Sequence, residues 1–220
     1  MKVLILADGN GTRWNNYKGV PKQLLKINNE TLLDRTIRLC KENGINKNDL
    51  IIVGDFKHED AINDKFENCP LKRQLFLTIA KKYKEPFILL NGDCYYTEAI
   101  IKNAISKDIK RWGHWCRLNA NPHTGKPWGE GYIHKVVDID WWISELEEFN
   151  RKCETGIINL TNDWTINRYL AKWNDIYKHR EDLPNEYDIL WDDETDDFDF
   201  PEDYDRFIKF TGFKGMDNNE

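Results

Sequence analysis

The chain has 220 residues, of which 40% are hydrophobic and 32% charged, and a formal net charge of −6. This is the composition of a rather polar globular protein long enough for one substantial core, and no run approaches the roughly 18 apolar residues of a membrane span. The charge is uneven: Glu181 to Asp205 holds 13 acidic residues and no Lys or Arg, while residues 1–180 hold 29 basic and 23 acidic residues. A mildly cationic body with dispersed charge suits anionic small molecules and argues against a nucleic-acid partner. The five cysteines are scattered with no C-x-x-C, which predicts reduced thiols, a cytoplasmic protein and no zinc site. Val3 to Ala7 leads into a turn and gives no signal-peptide pattern.

Val3-Leu4-Ile5-Leu6-Ala7 is a short, branched apolar run and predicts a buried strand. Asp8-Gly9-Asn10-Gly11 follows, then Thr12, Arg13 and, after a gap, Pro21-Lys22. Two close glycines allow backbone N–H groups to approach a ligand, and with an arginine and a lysine they suit a polyphosphate. No Gly-Lys-Ser/Thr closes a Walker loop, and Trp14 stands where a dinucleotide fingerprint needs its third glycine.

Gln23 to Ile27 reads as a short apolar, helix-like segment, and Thr31 to Asn43 has a clear helical period. Asp49 to Gly54 is the next strand, so the chain opens as an α/β nucleotide-binding domain. Phe56 to Lys65 predicts a loop and short helix, and Leu71 to Tyr83 a helix. Phe87-Ile88-Leu89-Leu90-Asn91-Gly92-Asp93 is a third strand ending in a carboxylate, at the end where open α/β sheets place ligand groups. Thr97 to Ser106 predicts the following helix.

Residues 111–142 hold five of the nine tryptophans, and Leu118 to Gly131 predicts a long loop over a cleft. Lys126, Trp128 and Glu130 in this loop are candidate substrate contacts, although the tryptophans as a group fit core packing better. His114, His123 and His134 lack metal-ligand spacing and read as structural or surface residues. Ile139 to Lys152 and Asn162 to Tyr177 predict helices, and Tyr187 to Trp191 a strand. Asp192 to Asp199 carries six carboxylates in eight residues, ordinarily a solvated face. Pro201 followed by Glu202 and Asp203 predicts a helix start. One domain over residues 1–210 is expected, with 111–185 as an acceptor-side region and 211–220 as a flexible tail.

Leu6-Ala7-Asp8-Gly9-Asn10-Gly11-Thr12-Arg13 with Pro21-Lys22 resembles the signature of the sugar-phosphate nucleotidyltransferase (MobA-like NTP transferase) superfamily. Gly92-Asp93 and Asp199-Phe200-Pro201-Glu202-Asp203-Tyr204 resemble its two later motifs, with Asp8 and Phe200 as departures from the family pattern. The resemblance implies a Rossmann-like, three-layer α/β/α (GT-A-like) fold with a central, mostly parallel mixed sheet. It also implies transfer of a nucleotide from an NTP, CTP being favoured, to a sugar 1-phosphate or similar phosphomonoester, with release of pyrophosphate. Leu6, Ala7, Gly9, Asn10, Gly11, Thr12, Arg13, Lys22 and Asp93 would bind the nucleotide, with Arg13 and Lys22 catalytic. Asp93 and Asp199 would hold Mg²⁺, with Asp197 in reserve for Asp199. The expected partners are the NTP and a phosphorylated acceptor, without nucleic acid or membrane and with homo-oligomerisation open. Two other readings stand beside this one. A GT-A glycosyltransferase would need an Asp-x-Asp element that Gly92-Asp93-Cys94-Tyr95 lacks. A non-catalytic sensor of nucleotide or sugar phosphate would not need every charged motif residue.

Overall fold

A computed structural model describes residues 1–8, 13–14, 17–67, 69, 71–117, 120–126, 129–159, 163–172 and 186–216. Seven strands form the main sheet: β1 (Lys2–Leu6), β4 (Leu50–Val53), β5 (Ile62–Asp64), β6 (Phe87–Asn91), β8 (Trp112–Cys116), β9 (Gly131–Val136) and β10 (Asp188–Leu190). Their order is β10-β8-β9-β6-β1-β4-β5, and β9 alone runs against its neighbours. Two small antiparallel pairs complete the strands, β2 (Lys26–Ile27) with β3 (Glu30–Thr31) and β7 (Cys94–Tyr95) with β11 (Asp196–Asp197). The helices are α1 (Leu32–Glu42), α2 (Lys72–Tyr83), α3 (Glu98–Ser106), α4 (Ile139–Glu154), α5 (Asp163–Leu170) and α6 (Pro201–Thr211).

The strand alternation sorts the core into two layers. Val3, Ile5, Leu50, Ile52, Ile88 and Leu90 face α1 and α3, where Ile37, Ile100 and Ile101 meet them. Leu4, Ile51, Val53, Phe87 and Leu89 face α2, α4 and α5, against Phe76, Ile79, Trp142, Phe149 and Ile166. The result is the expected Rossmann-like three-layer α/β/α arrangement around a mostly parallel sheet. Thr31 and Thr97 cap α1 and α3 by accepting from the backbone N–H groups of Asp34 and Ile100, which fixes where both helices begin.

Four expectations change. Gln23 to Ile27 is no helix but a single 3₁₀ turn at Lys22–Leu24 followed by β2. Residues 56–65 contain a parallel edge strand, β5, instead of a short helix. Strands β8 and β9 were hidden because aromatic, His and Lys side chains occupy both of their buried faces. The tail is not loose as far as residue 216: Asn28 N–H donates to Lys214 O at 2.7 Å, and Lys214 N–H donates back to Asn28 Oδ1 at 2.8 Å. Met216 is buried beside Trp14, Leu25 and Tyr204 in a third small core. The predicted helix over 162–177 is described only as α5, and its remainder lies outside the described residues.

Gly92 shows how tightly the carboxyl edge of the sheet is built. Its N–H donates to Leu6 O at 2.9 Å, and a Cβ there would stand 2.7 Å from that same oxygen. Gly92→Ala is therefore expected to lower stability by about 1–3 kcal/mol, measured by urea unfolding. A wild-type midpoint would show that the turn yields at no cost.

Candidate active site

Three separate segments meet at the carboxyl ends of β1 and β6. The 3₁₀ turn after Pro21 aims Lys22 inward, with its side chain only 9% exposed. Lys22 Nζ lies 3.4 Å from Asp93 Oδ2 and 4.0 Å from Asp199 Oδ1, and 5.8 Å from the centre of the Trp14 ring. Asp93 occupies the turn between β6 and β7. The antiparallel pairing of β7 with β11, extended by Phe198 N–H donating to Asp93 O at 3.4 Å, carries Asp199 alongside it. Arg13 reaches Asp199 from the other side, NH2 to Oδ1 at 3.1 Å, with its guanidinium 5.5 Å from the centre of the Phe200 ring. The first motif thus meets both later ones, Asp93 71 residues beyond Lys22 and Asp199 through Arg13 and Lys22.

Gly9, Asn10, Gly11, Thr12 and Trp128 lie outside the described residues. Leu6 and Ala7 are in place at the end of β1, with Ala7 N–H donating to Val53 O at 2.8 Å, and Asp8 is exposed.

Lys126 lies deeper. It is 3% exposed and surrounded by Asp197 Oδ1 at 2.7 Å, Glu130 Oε1 at 3.1 Å, and one oxygen each of Asp199 and Asp203 at 3.8 Å. The loop carrying it is folded on itself, since Asn121 N–H donates to Lys126 O and Gly125 N–H to Asn121 O. Arg206 of α6 donates to Thr124 O and fastens the loop to that helix. Asp203 is a residue that the sequence reading did not assign to the site. It sits in the first turn of α6 and accepts from the backbone N–H groups of Asp199 at 3.0 Å and Phe200 at 2.9 Å. The acidic third position after a helix entry was the available signal.

The electrostatics follow from burial among like charges. Burial would lower Lys126, but Asp197, Glu130 and Asp199 outweigh it and hold the ammonium above the usual lysine range. Burial pushes Asp93 up, and Lys22 beside it pulls it part of the way back. Glu130 is pushed from 4.5 up to about 9, first by burial and then by Asp197. Asp196 is pushed from 3.8 up to about 8 by the same two causes. Both groups hold a proton more tightly folded than unfolded, so their contribution to stability is full below the ordinary carboxylate range. It is lost as the pH rises through about 8 to 9. Glu130→Gln, which cannot ionise, should therefore melt above the wild type near about pH 9, with the gap closing near about pH 5. A gap that ignores pH would show that Glu130 is ionised throughout.

As a donor set, Asp93 and Asp199 offer hard carboxylate oxygens within 4.0 Å of Lys22 Nζ, and both side chains are partly exposed. Glu130, Asp197 and Asp199 also place carboxylate oxygens within 4.8 Å of one another. Such a set fits a hard divalent cation such as Mg²⁺. Among the described residues, no helix is long and apolar enough to cross a membrane.

No family model matches the chain. It is 40% identical over 68 residues to a choline-phosphate cytidylyltransferase of Streptococcus pneumoniae, a match covering 30% of this chain and 29% of that protein. The matched stretch is thus under a third of that relative's length. The fold is similar to a CTP:phosphocholine cytidylyltransferase from Streptococcus pneumoniae (TM-score 0.61, 16% identity, 96% of this chain and 98% of that one). It is also similar to a protein described as a glucose-1-phosphate thymidylyltransferase from Bacillus anthracis (TM-score 0.64, 13% identity, 96% and 94%). The chain thus shares the fold of these two solved structures.

Proposed function

We propose that the protein is a nucleotidyltransferase that joins an NTP to a phosphomonoester and releases pyrophosphate. The observation that carries this reading is the convergence of Lys22, Asp93 and Asp199 at the carboxyl edge of the sheet. The acceptor phosphate has a second pKa of about 6, so it is ionised near neutral pH and needs no general base. The protein's task is to bring two polyanions together and to neutralise charge as it develops on the phosphates. Lys22 would lie against the α-phosphate and the incoming phosphate, and Arg13, largely exposed at the rim, against the β- and γ-phosphates. Lys126 and Glu130 would border the acceptor side.

Asp93 and Asp199 would hold Mg²⁺. Asp197 is the weaker candidate because the buried Lys126 holds its carboxylate at 2.7 Å, whereas the nearest cation to Asp199 is the exposed Arg13 at 3.1 Å, with Lys22 and Lys126 farther off. When bound, the ion would offset negative charge on phosphate oxygens. CTP is the favoured nucleotide, supported by the likeness in sequence and in fold to phosphocholine cytidylyltransferase of Streptococcus pneumoniae, and choline phosphate joins sugar and polyol phosphates as an acceptor to be tried.

The test is pyrophosphate release from CTP, UTP, GTP, ATP and dTTP with Mg²⁺ against a panel of these acceptors. Acceptor-dependent release with one NTP, lost in Asp93→Ala, is the expected result. Absence of release from every pair, with a thermal shift on adding nucleotide-sugars, would replace this reading with a glycosyltransferase or a sensor.

A further inference from the structure

A second polar cluster lies inside the sheet, on strands β8 and β10. His114 and Cys116 are two residues apart on β8 and so share one face, and Asp188 of the parallel strand β10 stands directly beside His114. Their donor atoms all lie within 4.8 Å of one another. The side chains of His114 and Asp188 are 0% exposed, as is Cys116. A bulge between Trp115 and Cys116 re-aims the end of β8 at this point.

The surroundings hold the imidazole in one orientation. Gly131 leaves it room, since a Cβ there would meet His114 Nε2 at 2.5 Å. The ring stacks on His134 with centroids 4.9 Å apart. Its two nitrogens face different groups, Asp188 Oδ1 at 3.1 Å from Nδ1 and the Asn167 amide at 3.2 Å from Nε2. Asn167 is itself buried, and its Oδ1 has no hydrogen-bond partner. Turning that amide over satisfies it, with Nε2–H donating to Oδ1. In that orientation Nδ1 faces the Asp188 carboxylate at 3.1 Å, where a proton or a metal ion can join them, and the Cys116 sulfur within 4.8 Å of both supplies a third ligand. A backbone or amide carbonyl on the far nitrogen is the usual support of a metal-bound histidine.

We propose that His114, Cys116 and Asp188 bind one zinc-class divalent ion, separate from the catalytic carboxylates. A thiolate, a carboxylate and a neutral imidazole balance a dication to zero net charge, which suits a dry interior. The sulfur selects a borderline-soft metal over Mg²⁺. The ion fastens β10, a three-residue edge strand, to β8, and β10 leads into the acidic segment that carries Asp199.

The test uses the chelator-stripped full chain titrated with Co²⁺. One equivalent should bind with a thiolate-to-cobalt charge-transfer band, and Zn²⁺ should displace it. Cys116→Ser should lose the band, and the Asp93→Asn/Asp199→Asn double variant should keep it. Zn²⁺ should raise the melting temperature of the wild type and not of Cys116→Ser. The absence of any charge-transfer band in wild type at saturating Co²⁺ overturns the proposal, as does a band that survives Cys116→Ser. The first result would leave His114 and Asp188 as a proton-bridged structural pair.

Discussion

Lys22→Ala is expected to reduce turnover by about a hundred- to a thousand-fold, the usual effect of removing one preorganised group that stabilises transition-state charge. The lysine is nearly buried and has two carboxylates within 4.0 Å, so its ammonium is fixed before any substrate arrives. Its removal costs the fold less. Arg13 still lies 3.1 Å from Asp199, and Asp93, already pushed up by burial, can take a proton once its cation is gone. A loss of about 1–2 kcal/mol is expected, which for a chain of this size is a few degrees of melting temperature. Steady-state kinetics and a thermal melt on the same preparation separate the two effects. Normal turnover with a lowered melting temperature would make Lys22 a structural residue and remove the main support of the proposed reaction.

The larger stability effect belongs to Lys126→Met. Methionine keeps most of the side-chain volume but leaves the oxygens of Asp197, Glu130, Asp199 and Asp203 without their shared cation. Breaking a buried ion pair by removing one partner typically costs about 3–5 kcal/mol, because the remaining charge is neither solvated nor paired. The variant can lower that cost by binding protons, so its deficit should be greatest in alkaline buffer and shrink as the carboxylates protonate in acid. Urea unfolding at two pH values measures this directly. A deficit below about 1 kcal/mol at neutral pH would mean that the carboxylates are already protonated with the lysine present.

The parts of this molecule that could be read from sequence were those where one physical signal dominated. Apolar runs gave β1, β4 and β6 because these strands are buried on both faces and contain little else. Lys22 and Asp93 could be singled out separately because each follows a strand or turn in a recognisable motif. Strands β8 and β9 defeated the pattern, since His114, His134 and Lys135 are polar yet buried. The lysine donates to the carbonyls of Ile105 and Lys107, and the histidines stack on each other. The acidic run read as a solvated face is divided: Asp192 is exposed, while Asp196 is wholly buried. Charge counting cannot separate the two, because what distinguishes them is their place in the fold: Asp196 lies in β11 against β7, whereas Asp192 meets Arg117 at the surface. Of the five tryptophans at 111–142, those at 112, 115, 141 and 142 belong to the core or its edge, and Trp128 lies outside the described residues.

The strap formed by residues 212–216 also bears on the order in which the chain comes into being. Its bonds to Asn28 join positions 186 residues apart, and Tyr204 donates to Lys26 O across 178 residues. A ribosome therefore releases the lysine segment long before the chain that holds it in place has been made. The sheet can assemble progressively around β1, β4 and β6, but the lysine segment is fastened at its edge only once residues 204–216 have been made. Chains that stop before residue 204 would carry most of the sheet without the contacts that hold the lysine segment.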